Sequence, residues 1–169
     1  MNLEYKDLLP EDFSPQSKVW IYQSSRLFSV GEALELETKI NDFCNEWQSH
    51  GDRVKAFGTL FFGQFILLMA DDSVSVSGCS TDSSVRFIKS IGENYKVDLF
   101  NRTNLAFLVK DKIQVLPLSQ VKYAAENGFL TSDTLYFNNL VQTKKELENN
   151  WIIPVKDSWL APKLQAIAR

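Results

Sequence analysis

The chain has 169 residues and a formal net charge of −3, with 44% hydrophobic and 23% charged residues. This length and composition allow a buried core without disulfide or metal staples, which argues against intrinsic disorder. The net charge lacks the basic excess on which phosphate binding depends, so a nucleic-acid partner is not expected.

Two separated cysteines, Cys44 and Cys79, fit a reducing cytoplasm better than a disulfide framework. The first ten residues contain no apolar core of a signal peptide. The most apolar stretch, residues 56–70, contains Gln64 and two glycines and is too short to cross a bilayer as a helix. We therefore expect a cytoplasmic protein without membrane insertion.

In chain order, residues 1–17 are predicted to form an N-terminal arm and residues 18–169 a single α+β domain. Val19–Tyr22 has the composition of a first strand. A helix follows, because Ser29 and Glu32 have the S-x-x-E spacing of a capping box and apolar residues then recur at helical spacing. Gly51 is predicted to end this helix.

The next segments alternate between strand and helix patterns. Residues 57–69 are predicted to form one long strand, followed by a turn at 70–72 and an alternating strand at 73–77. A second helix is expected from about Asp82 to Tyr95, and a fourth strand over 105–109. This βαββαβ order is that of a ferredoxin-like fold, with two helices on one face of an antiparallel sheet.

The remaining residues are predicted to extend this core with helical and extended segments. The expected elements are a turn at 110–112 into a strand at 113–115, a helix over 119–127, a strand at 134–137, a capped helix over 143–150 and an aromatic tail from 151 to 159. The tail is expected to pack back on the domain, since tryptophans are seldom left exposed together.

Several segments resemble a known group of proteins. They are Gly78–Ile88, Val19–Ser24, Trp47–Gly51 and Phe137–Val141 with Ser158–Trp159. Together, from about Val19 to Trp159, they resemble a family of small uncharacterised bacterial proteins often labelled "ABC transporter ATPase". The resemblance implies no established activity. Family members carry His after the Ser-Trp pair, where this chain has Leu160.

The ATPase label does not fit the residues. Such an enzyme needs G-x-x-x-x-G-K-[ST], whose amides and lysine hold the phosphates. No Gly-Lys pair occurs anywhere in the chain. We therefore do not expect ATP hydrolysis.

The segment from Gly78 to Arg86 is the candidate binding site. Free amides at a helix N-terminus favour anions, and hydroxyls and an arginine could add donors. The residues assigned to this anion site are Ser80, Thr81, Ser83, Ser84 and Arg86, with Arg102 reaching the same pocket. The structural alternative is an ordinary helix cap, in which Ser80 or Thr81 is the N-cap and Asp82 a first-turn acid.

Cys79 and His50 are the other candidates for chemistry. A tyrosine-phosphatase loop has the spacing C-x5-R, but that position is Val85 and Arg86 is one residue too far. Cys79 remains a candidate reactive thiol at a helix N-terminus. His50 is the single histidine, and we expect it to cap the first helix. No catalytic set, metal site or cofactor is predicted.

The sequence therefore favours a non-catalytic binding or protein-interaction domain, with a homodimer as one expected assembly. Its partner is an unknown protein or small molecule. The alternative is an enzyme or sensor for a small phosphorylated or carboxylated metabolite, bound at Gly78–Arg86.

Overall fold

The computed structural model describes the backbone of residues 1–71 and 78–165, and the side chains of residues 1–71 and 81–164. This part of the chain is mixed α+β, with antiparallel sheets and five α-helices. It divides into two compact units. The first unit comprises Glu4–Phe100 and Val141–Glu148; the second comprises Asn101–Leu140, Met1–Leu3 and the described residues from Asn149 onward. The prediction that residues 18–169 form a single domain stays a prediction, because two compact units of one chain can fold together as one domain.

The first unit is built on a three-stranded antiparallel sheet. Its elements are β1 (Lys18–Gln23), α1 (Val30–Glu46), β2 (Gln48–Ser49), β3 (Asp52–Arg53), β4 (Ala56–Phe61), β5 (Phe65–Ala70) and α2 (Gly78–Tyr95). The sheet has the order β1-β5-β4, while β2 and β3 form a separate small hairpin. The predicted capping box of α1 is confirmed, since Glu32 N–H donates to the Ser29 hydroxyl and Ser29 N–H to the Glu32 carboxylate.

The single long strand predicted over residues 57–69 is wrong, because the chain reverses in its middle. Phe62 and Gly63 both have positive φ, 55° and 66°, and the Gln64 amide donates to the Phe61 carbonyl at 3.1 Å. Consecutive left-handed residues are what tight hairpin turns require. The predicted strand at 73–77 and the last residue of the turn at 70–72 lie outside the described residues.

Both long helices of the first unit share one core with one face of the sheet. Ile66 and Leu68 of β5 lie in this core, together with buried side chains of α1 and α2. Phe43 of α1 and Phe87 of α2 stack with ring centroids 4.3 Å apart. α1 approaches β4 closely at Gly58, where a Cβ atom would lie 2.6 Å from a methyl carbon of Ile40.

Residues 4–17 of the predicted N-terminal arm are anchored within the first unit. Tyr5, Leu9 and Phe13 are buried. The Tyr5 ring contacts the ring of Phe61. Leu60 packs against the helix core, and the side chain of the next residue, Phe61, lies on the opposite face of the sheet. The arm therefore covers part of the face that α1 and α2 do not cover.

The second unit contains a four-stranded antiparallel sheet of order β7-β6-β8-β9. Its elements are β6 (Asn104–Val109), β7 (Lys112–Pro117), α3 (Val121–Glu126), β8 (Leu135–Phe137), β9 (Ile152–Pro154) and α5 (Ala161–Gln165), while α4 (Lys144–Asn150) begins in the first unit. The predicted fourth strand therefore exists as β6 but pairs with β7 and β8. A local hairpin turn at Lys110 and Asp111, with φ of 50° and 60°, joins β6 to β7.

The aromatic tail packs into the second unit, as predicted. Trp151 and Val155 are fully buried, and the Trp151 indole donates to the side chain of Asn139 at 3.0 Å. Trp159 is 43% exposed, and its indole N–H donates to the hydroxyl of Tyr136.

Candidate functional site

The predicted anion site lies at the start of α2, but this helix begins earlier than expected. It starts at Gly78 rather than near Asp82, so residues 78–81 are helical instead of forming a loop. The side chains of Cys79 and Ser80 lie outside the described residues. The reactive-thiol prediction for Cys79 and the anion-contact prediction for Ser80 therefore stay predictions.

The remaining residues of this segment differ in how far their side chains are buried. Ser84 is fully buried, and its hydroxyl donates to the Thr81 carbonyl at 2.7 Å. Thr81 and Ser83 are half-buried, whereas Arg86 is exposed. A hydroxyl that bonds back to the preceding helical turn is a common arrangement for serine within helices. This bond occupies the Ser84 proton, while an anion contact of Arg86 stays a prediction.

Arg102 lies in the second unit, in the exposed turn before β6. The side chain of Asn101 shapes this turn, because it accepts hydrogen bonds from the amide and the hydroxyl of Thr103. Arg86 belongs to the first unit. A pocket shared by the two arginines stays a prediction.

Cys44 has a structural role in the core of the first unit. It is buried among apolar side chains of the helix core, and burial raises the pKa of its thiol to about 12. The thiolate is the reactive form of cysteine, so this residue is inert at neutral pH.

His50 does not cap α1, contrary to the sequence prediction. α1 ends at Glu46, and His50 lies exposed in the turn of the β2–β3 hairpin with a φ of 52°, next to Gly51 at 86°. The His-Gly pair forms a hairpin turn here because both residues adopt left-handed conformations. Among the described side chains, those of residues 1–71 and 81–164, no group of three or more His, Cys, Asp or Glu is arranged to hold a metal ion.

Both edges of the sheet in the first unit make hydrogen bonds to other groups of the chain over part of their length. At the β4 edge, the Glu37 carboxylate accepts hydrogen bonds from the Leu60 amide at 2.7 Å and from the Thr59 hydroxyl at 3.0 Å. At the β1 edge, the Val19 amide donates to the Gln142 carbonyl at 3.0 Å, and Lys18 and Thr143 form an antiparallel bridge. Side-chain and main-chain groups thus engage part of each edge, which limits the length available for pairing with another strand.

The sheet of the second unit is different. One edge is β9, which has three residues and ends in Pro154. The other edge is β7, which has six residues, Lys112–Pro117. No strand in the described part of the chain pairs with β7 on the side away from β6, which we call the outer edge of β7.

The hydrogen-bonding pattern identifies which groups face this outer edge. Alternate residues of an antiparallel strand bond to the same neighbour. The Leu118 amide donates to the Thr103 carbonyl at 2.8 Å, in continuation of the β6–β7 register. Gln114 and Leu116 therefore bond to β6, while the N–H and C=O groups of Ile113 and Val115 point outward.

Sequence reasoning predicted the turn and the strand at 113–115 but not the position of this strand in its sheet. The alternation of β-branched residues indicates a strand, and the Lys-Asp turn indicates its hairpin partner. Which strand ends a sheet depends on pairings distant in sequence, and those leave no local signal.

No protein-family model, curated protein or solved structure matches the chain. No helix in the described ranges is both long and apolar enough to cross a membrane.

Proposed function

We propose that this chain is a non-catalytic protein-interaction protein that binds an extended segment along the outer edge of β7. The observation that carries this proposal is the contrast between the edges. β1 and β4 are hydrogen-bonded by other groups of the chain, and β9 is short and ends in proline. Along β7, which has six residues, no main-chain hydrogen bond of the described residues engages the outward groups of Ile113 and Val115.

An extended partner would gain affinity from main-chain hydrogen bonds and specificity from its side chains. Ile113 and Val115 each offer one donor and one acceptor. Their side chains are part-exposed, and the β-branched type favours packing against an added strand. Leu116 packs against the core of the second unit, which holds β7 in place for docking.

The test is selection of extended peptides from a displayed random library on the full-length protein, with counter-selection on Val115→Pro. Proline at position 115 removes one outward N–H and leaves the bonds to β6 intact, as edge positions tolerate. We expect peptides rich in β-branched residues that bind the wild-type chain and bind Val115→Pro at least tenfold more weakly.

Peptides that bind both chains equally would contradict the proposal. So would selected peptides that shift the amide resonances of α2 and leave those of Ile113 and Val115 unchanged. Val115→Thr is the matched control, because it keeps the amide and the approximate side-chain shape.

A second candidate function is an enzyme or sensor for a small anionic metabolite at the start of α2. The exposed guanidinium of Arg86, two turns into an 18-residue helix, favours it. A thermal-shift panel of phosphate, sulfate, nucleotides, sugar phosphates and organic acids tests it. A stabilising anion whose effect disappears in Arg86→Ala would support this function, and stabilisation retained in that variant would exclude the Arg86 site.

We further propose that the first unit has the ferredoxin-like order. Support comes from the neighbour order β1-β5-β4, which matches three of the four strands of that fold, and from the core that both helices share. The antiparallel bridge of Thr143 to Lys18 lies at the position of the fourth strand. A cytoplasmic setting and membership of the bacterial family named above are proposals that rest on the sequence alone.

A further inference from the structure

We propose that the segment bound at the outer edge of β7 is β7 of a second copy of this chain, paired antiparallel across a two-fold axis at Gln114. The inference rests on the proposed function, since it names the partner of the same edge. Two sheets of four strands would then join into one continuous sheet of eight.

The ends of β7 define the register of this pairing. The outward groups belong to odd-numbered residues, so Ile113 and Val115 must pair with Ile113 or Val115 of the other copy. With Gln114 opposite Gln114, Ile113 pairs with Val115 on both sides of the axis. The amides and carbonyls of Ile113 and Val115 are then all bonded in both copies.

Each neighbouring register leaves main-chain groups of Ile113 or Val115 unbonded. A shift toward the C-terminal end places Ile113 opposite Pro117, which has no N–H to donate. A shift toward the N-terminal end places Val115 opposite Asp111, a turn residue with a φ of 60° that cannot continue a strand. The turn and the proline therefore leave the Gln114-centred register as the one that bonds every amide and carbonyl of Ile113 and Val115.

The side chains are compatible with this register. Lys112, the charged residue of β7, lies opposite Leu116 of the second copy, so like charges do not face each other. The two Gln114 amides lie opposite each other and can exchange a hydrogen bond. Ile113 and Val115 form β-branched cross-strand pairs on the other face.

One pair of short strands buries less than the roughly 1,000 Å² that a stable interface needs. The dimer is therefore weak and depends on protein concentration. Light scattering after size exclusion, over a hundredfold range of loading concentration, should show the mass rising from monomer toward dimer. Val115→Pro should stay monomeric at all concentrations, and Val115→Thr should behave like the wild-type chain.

Cross-linking tests the register directly. Gln114→Cys in a Cys79→Ser background places two thiols opposite each other on the axis, while Cys44 is buried and inert. Opposed residues at such a position are near enough for a disulfide. Lys112→Cys in the same background is the matched control, because its two thiols would lie roughly 13 Å apart along the strands. Mild oxidation should link Gln114→Cys at least tenfold faster than Lys112→Cys.

Any one of three results would overturn the inference. They are a wild-type chain that stays monomeric, equal cross-linking of the two cysteine variants, and a dimer that persists in Val115→Pro. The proposed function is tested separately, because it depends on selected peptides that bind Val115→Pro more weakly than the wild-type chain. Such peptides together with a monomeric chain would assign the edge to a different protein. The cross-linking result does not depend on whether Val115→Pro folds.

Discussion

The ammonium group of Lys144 lies 2.8 Å from the carbonyl oxygen of Pro10 and 3.2 Å from that of Phe13. Its side chain is only 9% exposed. Lys55 holds the same turn from another side, through the carbonyl and carboxylate of Asp12 and the ring of Phe13. Two lysines distant in sequence thus fix the N-terminal arm on the first unit.

Replacement of Lys144 by Met should lower the free energy of unfolding by roughly 1–3 kcal/mol, because two carbonyl groups lose their donor. Urea unfolding followed by tryptophan fluorescence measures this change. Lys122→Met is the control, since Lys122 is exposed and its ion pair with Glu126 is long; such a pair contributes about 0–1 kcal/mol. Equal destabilisation by the two substitutions would contradict the assigned role of Lys144.

Tyr5 provides a pH-dependent anchor for the same arm. Its hydroxyl donates to the Leu147 carbonyl at 2.6 Å, and burial, with the charge of Glu148, raises its pKa to about 12 from 10.0. A raised pKa means that the folded state favours the neutral phenol, so its contribution is complete below pH 10 and is lost as pH approaches 12.

Tyr5→Phe should therefore be less stable than the wild-type chain by about 0.5–1.5 kcal/mol at neutral pH. The difference should shrink between pH 10 and pH 12. Urea unfolding of both chains across this range measures it. A difference that stays constant through pH 12 would show that Tyr5 does not titrate as the structure indicates.

Two glycines of the first unit should respond in opposite directions to alanine. A Cβ at Gly58 would lie 2.6 Å from Ile40 Cγ2 and 2.9 Å from Cys44 Sγ, whereas one at Gly31 would meet nothing within 4 Å. Gly58→Ala should cost about 1–3 kcal/mol through overpacking. Gly31→Ala, near the start of α1, should stabilise by about 0.5–1 kcal/mol. Thermal unfolding of both variants decides, and a neutral Gly58→Ala would contradict the close approach of α1 to β4.

Proline substitutions at adjacent positions of β7 test which residues face outward. Gln114→Pro removes an amide that bonds to β6 and should cost roughly 1–3 kcal/mol. Val115→Pro removes an outward amide and should cost much less. Equal losses in the midpoint of thermal unfolding, or a larger loss at position 115, would reverse the assignment of the outer edge.

Elements with strong local signals could be predicted from the sequence. The Ser29–Glu32 capping box places the start of α1, and Thr143 caps α4 by accepting from the Glu146 amide. The strands β1, β6 and β8 follow β-branched and aromatic runs. These signals lie within a few residues of one another, so they do not depend on tertiary contacts.

Other features could not be predicted because distant contacts decide them. The turn at Phe62 has no glycine or asparagine at its first position, so the run from Phe57 to Met69 resembles one strand. The start of α2 lies ahead of the serine and threonine residues expected to cap it. The position of β7 at the edge of its sheet depends on which strands pair with β6, and local sequence does not specify those pairings.

The outer edge of β7 is proposed to bind an extended segment. Amide hydrogen exchange of the full-length protein tests this binding. The exchange rates are compared between the free protein and its complex with a selected peptide or a second copy. The amides of Ile113 and Val115 should gain at least tenfold protection, while those of Gln114 and Leu116, already bonded to β6, change little. Unchanged exchange at Ile113 and Val115, or protection gained instead at Gly78–Arg86, would contradict the account.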